Sequence, residues 1–218
     1  MGPPGAGKGM HAVRCAEVWS IAHISTGDLF RAEAKRKTEL GQRLASYMQQ
    51  GVLVPDSLVI ELVLARLNAQ DAQAGFILDG FPRTVSQAEA LDRALGGRKT
   101  PIELAIHFQT SQAVIVRRLS GRRICRGCGA NYNIDTLRPQ VAGRCDRCGG
   151  ELYQRSDDTQ ETVLKRLDVY RQESEPVLAY YRSRGWLRDV DGDLELPELN
   201  AMLTQLVTSE RLFPSSLR

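Results

Sequence analysis

The first nine residues constrain the fold more than any other stretch of this chain. Glycines at positions 2, 5, 7 and 9 alternate with Pro3, Pro4, Ala6 and Lys8 in the spacing Gly-x-x-x-x-Gly-Lys. Glycine-rich backbone can wrap an anion with its N–H groups turned inward, and a helix starting directly afterwards adds the positive end of its dipole. Lys8 then supplies a mobile charge for terminal phosphates. A loop of this kind joins a buried strand to a helix, which restricts the chain to an α/β architecture with a parallel sheet. Only Met1 precedes Gly2. A parallel sheet without its middle strand exposes two rows of unpaired backbone groups, so the expectation is a native product that begins several residues upstream. Met10 stands where a small hydroxyl residue is expected on the phosphates, so one side-chain hydrogen bond is lost while the backbone donors remain.

A second feature interrupts the chain near its middle. Cys125-x-x-Cys128 and Cys145-x-x-Cys148 are separated by sixteen residues, and Gly129 and Gly149 follow the second cysteine of each pair. No signal peptide or apolar run of membrane length is visible, which gives a cytoplasmic, reducing address and makes metal, not disulfides, the reading of paired cysteines. Four thiolates close a tetrahedral zinc site with no open position for water, so the metal is structural and staples a hairpin too small to build its own core. The fifth cysteine, Cys15, is expected to be a small buried hydrophobe of the first helix.

The chain has 218 residues, with 25% charged and 42% hydrophobic, which suits one main domain carrying insertions. Net charge is +3, yet residues 117–155 hold nine arginines against three acids. The patterning predicts helices over 9–18, 29–35, 39–50, 56–68, 85–95, 111–119, 158–170 and 197–209, and strands over 21–24, 75–78, 104–109 and 187–190. Residues 25–28 are expected to be a polar turn, Gly96-Gly97 to end a helix, and the chain to finish in a ragged tail. This alternation indicates a parallel sheet with helices on both faces. His11, His23 and His107 are isolated in sequence and are assigned no catalytic role.

Five motifs then occur in a fixed order: Gly2 to Gly9, Ser25-Thr26-Gly27-Asp28, Leu78-Asp79-Gly80-Phe81-Pro82-Arg83, Gly121-Arg122-Arg123 and Arg155-Ser156-Asp157-Asp158. Together they resemble the adenylate kinases, in particular the bacterial long-lid type with a four-cysteine zinc site, with the N-terminal first strand lacking. The resemblance implies a three-layer α/β nucleoside monophosphate kinase fold. Its core would be 1–24, 55–120 and 159–218, its AMP-binding helical insertion 25–54, and its zinc lid 121–158. It implies reversible transfer of the terminal phosphoryl group of ATP to AMP, with Mg2+, giving two ADP.

Residue by residue, the resemblance places ATP phosphates on Lys8 and the backbone of Gly5, Ala6, Gly7, Gly9 and Met10. Arg118 would cover the donor adenine face by stacking, with backbone near Asn131, Tyr132 and Leu194 completing that pocket, and Arg122, Arg155 and Arg166 would meet the phosphoryl group in flight. AMP would lie against Thr26, Arg31, Val52, Leu53, Val54, Gly80, Phe81, Pro82, Arg83 and Gln87, with Arg155 and Arg166 shared. Asp28 and Asp79 would hold magnesium through water. Two polyanions bring about six negative charges together, which fixed guanidinium forks and magnesium offset. The expected partners are ATP, AMP and ADP, acting on a monomer with no nucleic acid or membrane. Another acceptor base, GTP as donor, and nucleotide binding without turnover, suggested by Met10 and the absent strand, stay open as alternatives. An arginine-rich zinc ribbon that binds nucleic acid is disfavoured, because only Tyr132 and Tyr153 lie nearby to stack on bases.

Overall fold

The computed structural model describes residues 1–210 apart from Lys37, Lys99 and the side chain of Ser156, so the expected tail lies outside the described residues. From the N-terminus the chain forms helix α1 (Lys8–Trp19), strand β1 (Ala22–Ser25), helices α2 (Thr26–Ala34), α3 (Glu39–Gln50) and α4 (Asp56–Leu67), and strand β2 (Phe76–Asp79). Next come α5 (Val85–Arg98), β3 (Ala105–Gln109) and α6 (Gln112–Gly121). The cysteine hairpin holds β4 (Arg122–Cys125), β5 (Asn131–Asn133) and β6 (Leu152–Tyr153), and α7 (Gln160–Val169), α8 (Glu175–Arg182), β7 (Leu187–Asp191) and α9 (Leu196–Ser209) complete the chain. No helix among the described residues is long and apolar enough to cross a membrane.

The parallel sheet is present as two pairs, β1 with β2 and β3 with β7, and among the described residues no strand joins them. Met1 lies along β3, its ammonium on the carbonyl of Ile106 and its carbonyl accepting from Phe108 N at 3.1 Å. Alternation along β3 and β7 sends Ala105 and Leu187 to a face covered by Ala88 of α5 and Val177, Leu178 and Tyr181 of α8. Phe108 and Val190 point the other way, onto Ala6 and Leu199 and Leu203 of α9. Helices thus cover both faces, as expected. The largest core cluster joins Ile24, Phe30, Leu44, Val63, Leu67, Leu91 and Leu95, each leucine contributing roughly 1.5–3 kcal/mol by burial.

Several boundaries moved for local reasons. Of the expected turn at 25–28, Ser25 ends β1 and Thr26 to Asp28 are already helical, because Ser25 Oγ accepts from Asp28 N at 3.3 Å and caps α2 there. Helix α5 runs through Gly96-Gly97 to Arg98, whose guanidinium is anchored on Leu67 O (3.2 Å) and Asn68 Oδ1 (2.6 Å) of the neighbouring connection. Thr159 caps α7 by accepting from Thr162 N at 3.3 Å, and the helix passes at Tyr170–Ser174 into a π-helical turn before α8. Cys15 is half-buried, because His11 and Ala16 form the inward face of α1.

Candidate active site

Parallel pairing of β1 and β2 sets Ser25 opposite Asp79, so the segments leaving both strands meet at their carboxyl ends. That edge is where open α/β sheets bind ligands. Thr26 is fully buried there, its hydroxyl donating to Gly80 O at 3.0 Å. The first turn of α1 lies against the same edge: a Cβ on Gly9 would sit 2.9 Å from Asp79 Oδ2, so only glycine lets the loop approach the carboxylate this closely. Within the loop, Ala6 N donates to Pro3 O (3.3 Å) and Met10 N to Gly7 O (3.1 Å). Among the described residues the amides of Gly5, Gly7, Lys8 and Gly9 have no backbone partner, the unmet donors that a helix start offers an anion.

Lys8 Nζ donates to Gly2 O and Pro3 O, both at 2.7 Å. Burial lowers its pKa to about 8 against the pull of Asp79. Asp79, although burial opposes it, is held below the usual carboxylate range by His23, whose Nε2 stands 3.5 Å away, and by Lys8. His23 therefore has a partner in the site that its isolation in sequence did not show. Met10 is 38% exposed and lines the same cleft as Val13, with a thioether where a hydroxyl was expected.

The cleft, of about 370 Å3, is lined by the phosphate loop, Asp28, Arg31, Asp79, Arg83, Arg118, Arg122, Asn131, Tyr132, Arg155, Arg166 and Tyr170. Phe81 and Pro82 open onto this cleft too. A smaller pocket of about 80 Å3 adjoins it, walled by Thr26, Arg31, Val52, Leu53, Val54, Gly80, Arg83, Gln87, Asp157 and Arg166. Arg31, Arg83 and Arg166 face both spaces.

The arginines are held in different ways. Arg83 Nε donates to Gly80 O at 2.8 Å, and burial, then crowding by Arg166, draws its guanidinium down to about 10. Arg122 forks onto Asp158, with Nε to Oδ2 at 2.8 Å, and that carboxylate is wholly buried. Arg166 reaches Asp157 Oδ2 at 3.2 Å and Asp158 Oδ1 at 3.6 Å. Arg155 differs: its Nε is buried without a hydrogen-bond partner among the described residues, and burial, then repulsion from Arg122, lowers it to about 10. An unmet buried donor beside three further guanidinium groups is built for an anion. Arg31 is paired with Asp28 at 2.6 Å, and although burial alone would raise Asp28, this contact holds it low. Asp28 and Asp79 both line the cleft, each with a basic neighbour, Arg31 for Asp28 and His23 for Asp79.

Of the expected donor-base residues, Arg118, Asn131 and Tyr132 line the cleft and Leu194 does not. Arg118 donates to Gly192 O (2.7 Å) and Leu194 O (3.1 Å), so Leu194 serves as its anchor and packs in the core rather than lining the cleft. Tyr132 is buried in the hairpin, its hydroxyl accepting from Asp146 N (2.8 Å) and paired with Cys145 Sγ (3.5 Å). Asp157 and Asp158 belong to a motif visible in the sequence, but their pairing with Arg122 and Arg166 spans up to 36 residues and left no local signal.

The four cysteine sulfurs lie within 4.8 Å of one another, with Cys125 to Cys148 at 3.4 Å and Cys128 to Cys145 at 3.5 Å. Tetrahedral zinc with sulfur at about 2.3 Å needs edges of about 3.8 Å, so the set fits that ion. Gly129 (φ 73°) and Gly149 (φ 69°) take the left-handed turn that follows each pair. The hydroxyl of Tyr132, foremost, lowers the Cys145 thiol to about 6, which favours a thiolate ligand.

A family model described as adenylate kinase matches residues 1–186. The chain is 48% identical over 209 residues to an adenylate kinase of Alkaliphilus oremlandii, covering 96% of this chain and 95% of that one. It is 47% identical over 207 residues to an adenylate kinase of Geobacillus sp. (strain WCH70), covering 95% and 96%, and 49% identical over 199 residues to that of Clostridium tetani, covering 91% and 92%. With a phosphate loop, a converging set of arginines and a four-cysteine hairpin on one fold, and with relatives matched along almost their whole length, the chain belongs to the adenylate kinase family.

Proposed function

We propose that this protein transfers the terminal phosphoryl group of ATP reversibly to AMP, producing two ADP. The observation that carries the reading is Arg155, whose buried Nε has no hydrogen-bond partner among the described residues, in a cleft shared with Lys8, Arg83, Arg122 and Arg166. Lys8 and the free loop amides hold the donor phosphates, and Arg118, with Asn131 and the backbone of Tyr132, borders the donor base. The smaller pocket takes AMP: Arg31 and Arg83 bind its phosphate, Val52, Leu53 and Val54 line its base, and Gln87 reads the base edge. Arg122, Arg155 and Arg166 stabilise the phosphoryl group between the two nucleotides. No side chain acts as a nucleophile, since the acceptor is the AMP phosphate itself.

Asp28 and Asp79 are the carboxylates that would hold magnesium through water, and the ion would neutralise phosphate charge when bound. Cys125, Cys128, Cys145 and Cys148 would hold zinc, which would staple residues 121–158 as a lid over a core of 1–24, 55–120 and 159–218, with 25–54 as the acceptor insertion, in a monomer. Arg122 and Arg155 stand at the two ends of the lid segment, so its closure delivers charge and expels water together. A coupled assay for ADP formed from ATP and AMP, run beside zinc analysis, tests this. Metal-loaded protein that fails to equilibrate adenine nucleotides would sink the assignment.

A further inference from the structure

The amide of Gln87 is oriented by the backbone of Arg83 and by Asp56, a carboxylate outside the pocket that Gln87 lines. Gln87 is 2% exposed on the first turns of α5. Its Nε2 donates to Asp56 Oδ1 at 2.7 Å, and its Oε1 accepts from the backbone N–H of Arg83 at 2.8 Å. The identity of the two amide atoms is therefore fixed by chemistry. Turning the amide over would set its oxygen against a carboxylate oxygen and its NH2 against an N–H donor, losing two hydrogen bonds and adding two repulsions. Asp56 is itself immobilised at the start of α4: its Oδ2 accepts from Thr84 Oγ1 at 2.6 Å, and Thr84 Oγ1 accepts from Gln87 N at 3.2 Å. Asp56, Thr84 and Gln87 thus form a closed ring of hydrogen bonds joining α4 to α5.

We infer that Asp56 is a specificity-determining positioning residue that makes the acceptor site selective for a 6-amino purine by preventing Gln87 from turning over. Each amide atom has one bonding position occupied, which leaves one N–H and one oxygen lone pair for the pocket. A 6-amino purine offers the matching pair, a ring-nitrogen acceptor beside an amino donor. A 6-oxo purine offers the reverse, a ring N–H beside a carbonyl, and could be read only by the inverted amide. Rejection of the wrong base is then enforced by a carboxylate that never touches it. This inference rests on the AMP reading of the smaller pocket.

Inosine 5′-monophosphate differs from AMP at the two positions concerned without adding a group elsewhere, so it is the probe. Initial rates with ATP and either AMP or inosine 5′-monophosphate would be measured for the full chain and for Asp56→Asn, Asp56→Ala and Gln87→Leu, with thermal melts of each. The unmodified chain should prefer AMP in kcat/KM by about a thousandfold or more, as expected where a buried polar group meets a mismatched partner. Asp56→Asn keeps the shape but can donate to an inverted Gln87, so the preference should fall at least about tenfold. That fall should come through KM for the monophosphates, with kcat on AMP within about threefold. Asp56→Ala should shift the preference in the same direction. If Asp56 only supports the fold, its variants will melt lower and lose activity on both acceptors equally, leaving the preference unchanged; that result overturns the inference. If instead the unmodified chain does not phosphorylate AMP, or Gln87→Leu leaves the KM for AMP unchanged, the acceptor reading itself fails.

Discussion

Lys8 shows how burial turns a common side chain into a tuned one. With its ammonium on two loop carbonyls and its pKa lowered to about 8, the free enzyme loses this charge over a pH range in which an exposed lysine keeps it. Between about 8 and 10.5 the unfolded chain therefore binds a proton that the folded chain does not, and the contribution of Lys8 to folding stability rises with pH across that window. Donor binding runs the other way, since it needs the charge. We predict that kcat/KM for ATP falls above pH about 8, whereas kcat holds to higher pH because bound phosphates restore the proton; Lys8→Arg should remove the kcat/KM limb. Arg155 gives a second prediction: Arg155→Ala should lower kcat by about 10^3, and Arg155→Lys should recover little, because an ammonium cannot reproduce the guanidinium fork. Arginines inside ordered motifs were legible in the sequence because their neighbours along the chain mark them. Asp158, His23 and Asp56 were not, because each acts through a partner many residues away, and an isolated acid or imidazole reads as a solvated charge until the fold supplies that partner.

Elements with a strong cap or a clear apolar period were readable, and those set by tertiary anchors were not. Ser111 caps α6 by accepting from Val114 N, and Thr159 caps α7 by accepting from Thr162 N. Thr159→Ala is expected to cost about 1 kcal/mol, measurable as a lower urea midpoint at unchanged slope. Helix α8 and the π-helical turn before it were missed because the polar run Arg171-Gln172-Glu173-Ser174-Glu175 carries no apolar period, although Val177 and Tyr181 beyond it are buried. The lid strands escaped for a different reason: they are two to four residues long and are organised by the cysteines, not by alternation. That dependence predicts the effect of zinc removal. Chelation, or Cys128→Ser, should make residues 121–158 the first segment cut by trypsin while the helical core resists, and phosphotransfer should fall with lid integrity.

Across the whole molecule, the donor cleft and the acceptor pocket share Arg31, Arg83 and Arg166, so one ligand spanning both should bind far better than either half. A dinucleotide joining two adenosines through a phosphate chain, present at a hundred times its Kd, should stabilise the fold by about 2.7 kcal/mol, read as a raised melting temperature. ATP alone should raise it less. The architecture was visible in sequence as alternation of strands and helices, but which strands pair, β1 with β2 and β3 with β7, and the course of Met1 along β3 were settled only by hydrogen bonding. The buried carboxylate of Asp158, gripped by Arg122 and within 3.6 Å of Arg166, carries a last consequence. It is a resident competitor for the charges that the reaction needs. We expect a small monovalent anion to gain too little to displace it and a nucleotide held at several points to gain enough, so that these arginines would be released only to a complete substrate.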